Sequence, residues 1–255
     1  MKNFNFWLLA SLFAAAFTLT ACGDDEDGDN VEGAASDLVG TWSMDDMTYV
    51  FTKDNLTIKY GDQVSYNGPY TYANGYLEGA SIDGDEAKLQ VKFLYNKSVL
   101  VLKYVPENAD DYSLDEVAIV LYKNGKAPNT SANDIQGTWH WYMRGDPSYV
   151  RTGVIIKGST IEIIVTPWAE RHVGTFTYQG GILHLNMTEF YSGRGEHGWG
   201  DGNGGINPAT LECDNWIPCT KEDIGNHLPS EMMFITDGKE AYANVAGLPA
   251  VFVKK

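Results

Sequence analysis

Asp37-Leu38-Val39-Gly40-Thr41-Trp42 recurs as Asp134-Ile135-Gln136-Gly137-Thr138-Trp139, and a second pair of stretches follows in the same order. Gly68-Pro69-Tyr70-Thr71-Tyr72-Ala73-Asn74-Gly75-Tyr76-Leu77 aligns without gaps on Gly174-Thr175-Phe176-Thr177-Tyr178-Gln179-Gly180-Gly181-Ile182-Leu183. Two matched motifs in matching order indicate a duplicated unit. The polar, turn-rich stretch 124–133 reads as the linker between a first copy at 37–123 and a second at 134–255.

Within the copies, short alternating runs stand out. The first carries Tyr49 to Thr52, Leu56 to Tyr60, Pro69 to Tyr72, Leu89 to Phe93, Val99 to Val105 and Val117 to Tyr122. The second carries Val150 to Ile156, Thr160 to Thr166, Gly174 to Tyr178, Ile182 to Met187, Met232 to Ile235, Ala241 to Val245 and Ala250 to Val253. With turns such as Ala73-Asn74-Gly75, Asp83-Gly84-Asp85 and Thr236-Asp237-Gly238-Lys239, each copy offers about eight strands. No long segment has helical apolar spacing, so the chain reads as all-β. A meander with one apolar face closes most economically as an up-and-down antiparallel barrel, which makes two barrels in tandem.

Gly-x-Trp on the first strand of such a meander resembles the lipocalin signature. The resemblance implies that Trp42 and Trp139 plug one end of each barrel beneath a basic side chain from near the last strand, a cation–π contact. Lys123 and Lys254 stand at those positions, where that family usually has Arg.

The N-terminus sets an expected address. Met1-Lys2-Asn3 precedes an uncharged run from Phe6 to Phe17, too short to span about 30 Å of hydrocarbon and ending in small residues, so 1–21 reads as a signal peptide. Leu19-Thr20-Ala21-Cys22 resembles the bacterial lipobox, which implies cleavage before Cys22 and acylation of it with palmitate-type chains. The acidic stretch 22–36 reads as a flexible tether. It also resembles the signal that sends lipoproteins of two-membrane bacteria to the cell surface, with the periplasmic face of the outer membrane as the other address.

Formal net charge is −16, and removing residues 1–21, with one Lys and no acid, makes it more negative still. Nucleic acid is excluded as a partner, because phosphate binding needs the opposite balance. Once Cys22 carries lipid, Cys213 and Cys219 remain in an oxidising compartment and are expected to form a disulfide. Their spacing lacks further thiols for a metal. Asp201-Gly202-Asn203 with Glu212 begins like a calcium loop but puts Ile206 where the sharp-turn Gly belongs, so no metal and no cofactor is expected.

The copies differ most at 190–229, an insert rich in Gly and Trp. Trp141, Trp168, Tyr191, Arg194, His197, Trp199 and Trp216 are the candidate ligand-binding residues, since aromatic faces beside polar groups suit sugars or, in a barrel mouth, an apolar molecule. Asp45-Asp46, Glu170 with His172, and Glu196-His197 are the available acid–base pairs, and none sits in a recognisable catalytic frame. The expectation is a non-catalytic binding lipoprotein of the outer membrane carrying a small apolar ligand or saccharide. The alternative is a surface module that contacts glycans or proteins through the insert.

Overall fold

The computed structural model describes residues 33–82, 85–105, 117–143, 146–193, 205–224, 228–245 and 248–255. The expected signal peptide, Cys22 and most of the tether lie outside these residues, as does the tip of the expected turn at Asp83-Gly84.

The chain forms two antiparallel sheets of consecutive strands. The first holds β1 (Gly40–Met44), β2 (Met47–Phe51), β3 (Asn55–Tyr60), β4 (Gln63–Pro69), β5 (Thr71–Ala73), β6 (Tyr76–Ile82), β7 (Asp85–Leu94), β8 (Val99–Tyr104) and β9 (Ala118–Lys123). The second holds β10 (Gly137–Tyr142), β11 (Val150–Lys157), β12 (Thr160–Val165), β13 (Glu170–Gln179), β14 (Ile182–Ser192), β15 (Ile217–Cys219), β16 (Glu231–Thr236), β17 (Glu240–Val245) and β18 (Leu248–Lys254). Short helices α1 (Ala35–Leu38) and α2 (Lys221–Ile224) and a 3-10 turn at Thr166–Trp168 complete the described elements.

Both sheets come round on themselves, and each places its first strand beside its last: β1 pairs with β9, and β10 with β18. The second barrel is closed by the long β13–β14 ladder. In the first, β4 and β5 correspond to β13 but are broken at Tyr70, and closure rests on the short β5–β6 ladder. The architecture is therefore the all-β tandem barrel that the repeat implies.

Why the motif repeats is visible in the geometry. Gly40 and Gly137 have φ of +137° and +124°, a region that favours glycine, and this turns the chain from the preceding bend into the first strand. The bend leaves a carbonyl four residues before each tryptophan: Trp42 Nε1 donates to Leu38 O at 2.7 Å, and Trp139 Nε1 to Ile135 O at 2.8 Å. Both indoles are fully buried. Around them the interiors fill with large side chains, Phe51, Leu56, Leu77, Leu89 and Phe93 in the first barrel, and Ile161, Ile163, Leu183, Phe234 and Phe252 in the second. Burying each such side chain contributes about 1.5–3 kcal/mol.

The two barrels pack side by side through their outer walls. β8 is buried on both faces, with Leu100 and Leu102 inside its own barrel while Val99 and Val101 join Val120 and Tyr122 against Ile235, Tyr242 and Val251 of the second. Beside this apolar patch lies an ion cluster. Lys92 reaches Asp237 at 3.0 Å and Glu240 at 2.7 Å, Lys103 reaches Glu240 at 3.0 Å, and the Tyr242 hydroxyl donates to Glu240 at 2.8 Å. Asp237 has a side-chain exposure of only 1%, so it depends on Lys92 and on the amides of Lys239 and Glu240.

Burial alone would raise the Glu240 carboxyl, but the hydrogen bond from Lys92, the charges of Lys103 and Lys92 and the Tyr242 hydroxyl outweigh it and hold the group at about 2, against an ordinary 4.5. A depressed carboxyl contributes stability that is complete above its ordinary value and is lost as pH falls through its folded one. Thermal melts are expected to show the barrel joint weakening between pH about 4.5 and about 2. Lys92→Met, which strands Asp237, is expected to cost about 3 kcal/mol at neutral pH.

Candidate functional site

The tryptophan plugs are built alike. Trp42 stands opposite Lys123 in the β1–β9 ladder and Trp139 opposite Lys254 in β10–β18. The ammonium groups lie 5.4 Å and 5.1 Å from the indole centres, within cation–π reach. At Gly137 the Lys254 stem passes 3.0 Å from where a Cβ would sit, so the glycine also makes room for its cation.

The proposed binding residues do not converge. Trp141 is buried in the second barrel's core, 6.1 Å from Phe252, with the Arg151 guanidinium 4.4 Å over its ring. Trp168 sits on a 3-10 turn, Thr166–Trp168, and packs against the same core. Tyr191 lies on the outer wall, where Arg171 stacks 4.8 Å over it and its hydroxyl donates to Glu189. Trp216 belongs to a separate outer cluster with Val150, Ile164, Ile206 and Leu211. Arg194, His197 and Trp199 lie outside the described residues.

That outer cluster is made by the insert. Residues 205–216 lie against β11 and β12, where Val150 N donates to Pro208 O at 2.8 Å and Leu211 fills the space that a Cβ on Gly153 would need. This docking corrects the expected disulfide. Cys213 is held on the outer wall by a bridge to Ile206 and by the cluster, while Cys219 is fixed in β15 opposite Phe190, so separate elements hold the two thiols and they are not bonded to each other.

What the fold does bring together is a different set, on β13 and β14. The ladder carries a bulge after Val173, with Val173 opposite Glu189 and Gly174 opposite Met187. A Cβ on Gly174 would lie 2.2 Å from Asn186 O, so only glycine permits this approach. Plain alternation keeps Glu170, His172, Gly174 and Phe176 on the inward, buried side of β13, while the extra residue of the bulge, Thr188, shifts the alternation of β14 so that Phe190 comes opposite His172. His172 Nε2 lies 3.3 Å from Glu170 Oε2 with side-chain exposures of 3% and 5%, and Phe190 meets the imidazole edge-on at 5.8 Å.

Above this pair the barrel wall parts. β14 pairs with β16 only over Ile182 to His184, Leu185 N still reaches Ser230 O at 2.7 Å, and β15 joins only from Phe190 to Ser192. The backbone between faces a cleft of about 490 Å³ whose walls include Leu185, Met187, Phe190 and Leu228, with His172 and Lys221 as its ionisable groups. That volume suits a small molecule. The pairing with Glu170 orients an imidazole toward a space of mixed polarity, in which Asn186, Lys221 and Ser230 stand beside the apolar side chains, so several polar groups of a ligand can be served. Among the described residues no group of three or more His, Cys, Asp or Glu side chains could hold a metal.

The sequence offered His172 with Glu170 as an acid–base pair but gave no reason to prefer it. The alternation of β13 could have placed both on one face, whereas the opening beside them depends on where β14 loses its partners. Glu170→Gln, which keeps the shape and removes the charge, is expected to lower stability by about 2 kcal/mol in thermal unfolding, as the buried imidazole loses its charged partner. Against protein-family models, curated proteins and solved structures alike, the chain finds no match.

Proposed function

We propose that this chain is a lipid-anchored, non-catalytic binding protein of the outer membrane with lipocalin-like barrels, in which the second barrel is the binding unit and the first a packed scaffold. The observation that carries the reading is the cleft beside His172: its about 490 Å³ opens in the second barrel at a break between β14 and β16. The ligand is a small amphipathic molecule or saccharide, with one group that hydrogen-bonds to His172 and polar groups toward Asn186 and Lys221. Surface docking through the insert is less favoured, because residues 205–216 spend their apolar side chains on the barrel's own wall. Attachment through Cys22 rests on the lipobox resemblance and on the charge-free run before it.

Native mass spectrometry of the chain isolated gently from its host tests the binding reading. A reproducible small-molecule adduct is expected, lost on denaturation and absent from Met187→Trp, which fills the cleft; adduct retention in that variant would place the ligand elsewhere. Fractionation tests the anchor: the chain is expected with membranes and Cys22→Ser in the soluble fraction.

A further inference from the structure

His172 faces two ways. Its Nε2 lies 3.3 Å from Glu170 Oε2 inside the barrel, and its ring also lines the cleft. Among the described residues Nδ1 has no hydrogen-bond partner. Nor is it sealed off: the buried side-chain polar atoms that lack a partner among these residues are Tyr95 Oη, His140 Nδ1 and Thr166 Oγ1. The second ring nitrogen of His172 is therefore open, and with the side chain only 3% exposed the cleft is the way to reach it.

In a neutral imidazole one nitrogen carries the proton and the other a lone pair, and the partner of one decides the role of the other. An ionised carboxylate only accepts, so Glu170 draws the proton onto Nε2. The contact is longer than the about 2.7–2.9 Å of an imidazolium–carboxylate bond, which favours the neutral ring. Nδ1 is then a lone pair turned to the cleft, and Glu170 is the positioning residue that sets the tautomer.

That lone pair selects what can meet it. A carbonyl or carboxylate oxygen offers no proton and would stand against it with a buried negative charge behind. An ammonium has protons to give but meets Lys221, which also lines the cleft. A metal ion needs more ligands, and among the described residues no group of three or more His, Cys, Asp or Glu side chains could hold one. A neutral hydroxyl fits. The Asn186 amide and the Ser230 hydroxyl in the same lining both donate and accept, as sugar hydroxyls do, while Leu185, Met187 and Phe190 offer apolar surface to the C–H face of a ring or to a short alkyl chain.

We infer that the cleft takes a hydroxyl-rich head, as a free saccharide or an alkyl glycoside, and that His172 accepts a hydrogen bond from one of its hydroxyls through Nδ1. This rests on the binding role proposed for the cleft, and adds the direction of the hydrogen bond and the class of group that makes it.

Nitrogen-15 NMR of the imidazoles in the isotope-labelled chain, at about pH 8 where imidazole is ordinarily neutral, reads the tautomer before any ligand is added. The expected spectrum has the His172 proton on Nε2 and a bare Nδ1, giving way to mixed tautomers in Glu170→Gln. A proton on Nδ1 in the wild-type chain overturns the inference. Titration then uses methyl β-D-glucoside and octyl β-D-glucoside, the latter below its micelle concentration. A saturable shift of Nδ1 toward a hydrogen-bonded nitrogen is expected, with both compounds if the ligand is a free saccharide and with the octyl compound alone if it is an alkyl glycoside. The fully O-methylated octyl glucoside keeps the oxygens and loses the donors, and is expected to bind at least roughly tenfold more weakly. Equal binding of the methylated compound, or glucoside binding that leaves Nδ1 unmoved, overturns the inference. So does a cleft that takes up anilinonaphthalene sulfonate but neither glucoside, whereas failure of the dye and the glucosides together removes the binding reading and the inference with it.

Discussion

In each barrel the indole N–H of the first strand's tryptophan donates to a carbonyl four residues earlier, and a lysine from the last strand lies over its ring. This joins the beginning of the meander to its end. The bend before β1 or β10 fixes the depth of the indole, the indole seals the core beneath it, and the lysine holds the last strand in register with the first. Losing the indole would leave a buried carbonyl unpaired and a large cavity in a closed core, each costly. Everything else in the chain varies around this shared closure: the first barrel breaks its fourth strand at Tyr70, and the second inserts about forty residues after β14 and opens its wall.

The barrels are held together by complementary surfaces rather than by the linker alone. The lysines of the ion cluster come from the first barrel and the carboxylates from the second, next to an apolar patch shared by β8, β9, β16, β17 and β18. The linker adds to the joint: Thr130 Oγ1 accepts from Gly181 N, and the Tyr122 hydroxyl donates to Gly180 O, so the β13–β14 turn is gripped from the first barrel's side. Burial raises the Tyr122 hydroxyl to about 12, so it remains a neutral donor at physiological pH. The orientation of the cleft follows from this joint, because β13 and β14 carry both the gripped turn and the residues around His172.

The architecture was legible because its signal is local. Gly-Thr-Trp, the tyrosine-rich motif and the turn residues repeat in the same order, and alternation along the strands gives a one-sided apolar face. The joint was less legible, although Val99-Leu100-Val101-Leu102 carries its mark: a continuous apolar run in an otherwise alternating sheet indicates burial on both faces. The candidate aromatics misled because residue type does not say which wall a side chain lies on. Tyr191 and Trp216 serve the outer surface, and Trp141 the core. Cys213 and Cys219 were paired as the two thiols left in an oxidising compartment once Cys22 carries lipid, yet Cys213 is held in the outer cluster with Leu211, which docks at Gly153, while Cys219 is fixed in β15 opposite Phe190. The cleft was marked only coarsely: Phe190, Lys221, Leu228 and Pro229 of its lining belong to the divergent stretch 190–229, but its position beside His172 depends on where strands stop pairing rather than on a motif.

The asymmetry between the copies gives the duplicated fold its division of labour. One barrel is filled by its own side chains, and the other has an opening that leads to an oriented imidazole. The most direct test maps a fluorescent apolar anion such as anilinonaphthalene sulfonate by two-dimensional NMR on the isotope-labelled chain. Saturable shifts confined to His172, Met187, Phe190 and their neighbours are predicted, with none in the first barrel's core. Shifts centred on the first barrel, or none near His172 at saturation, would contradict the assignment of binding to this cleft.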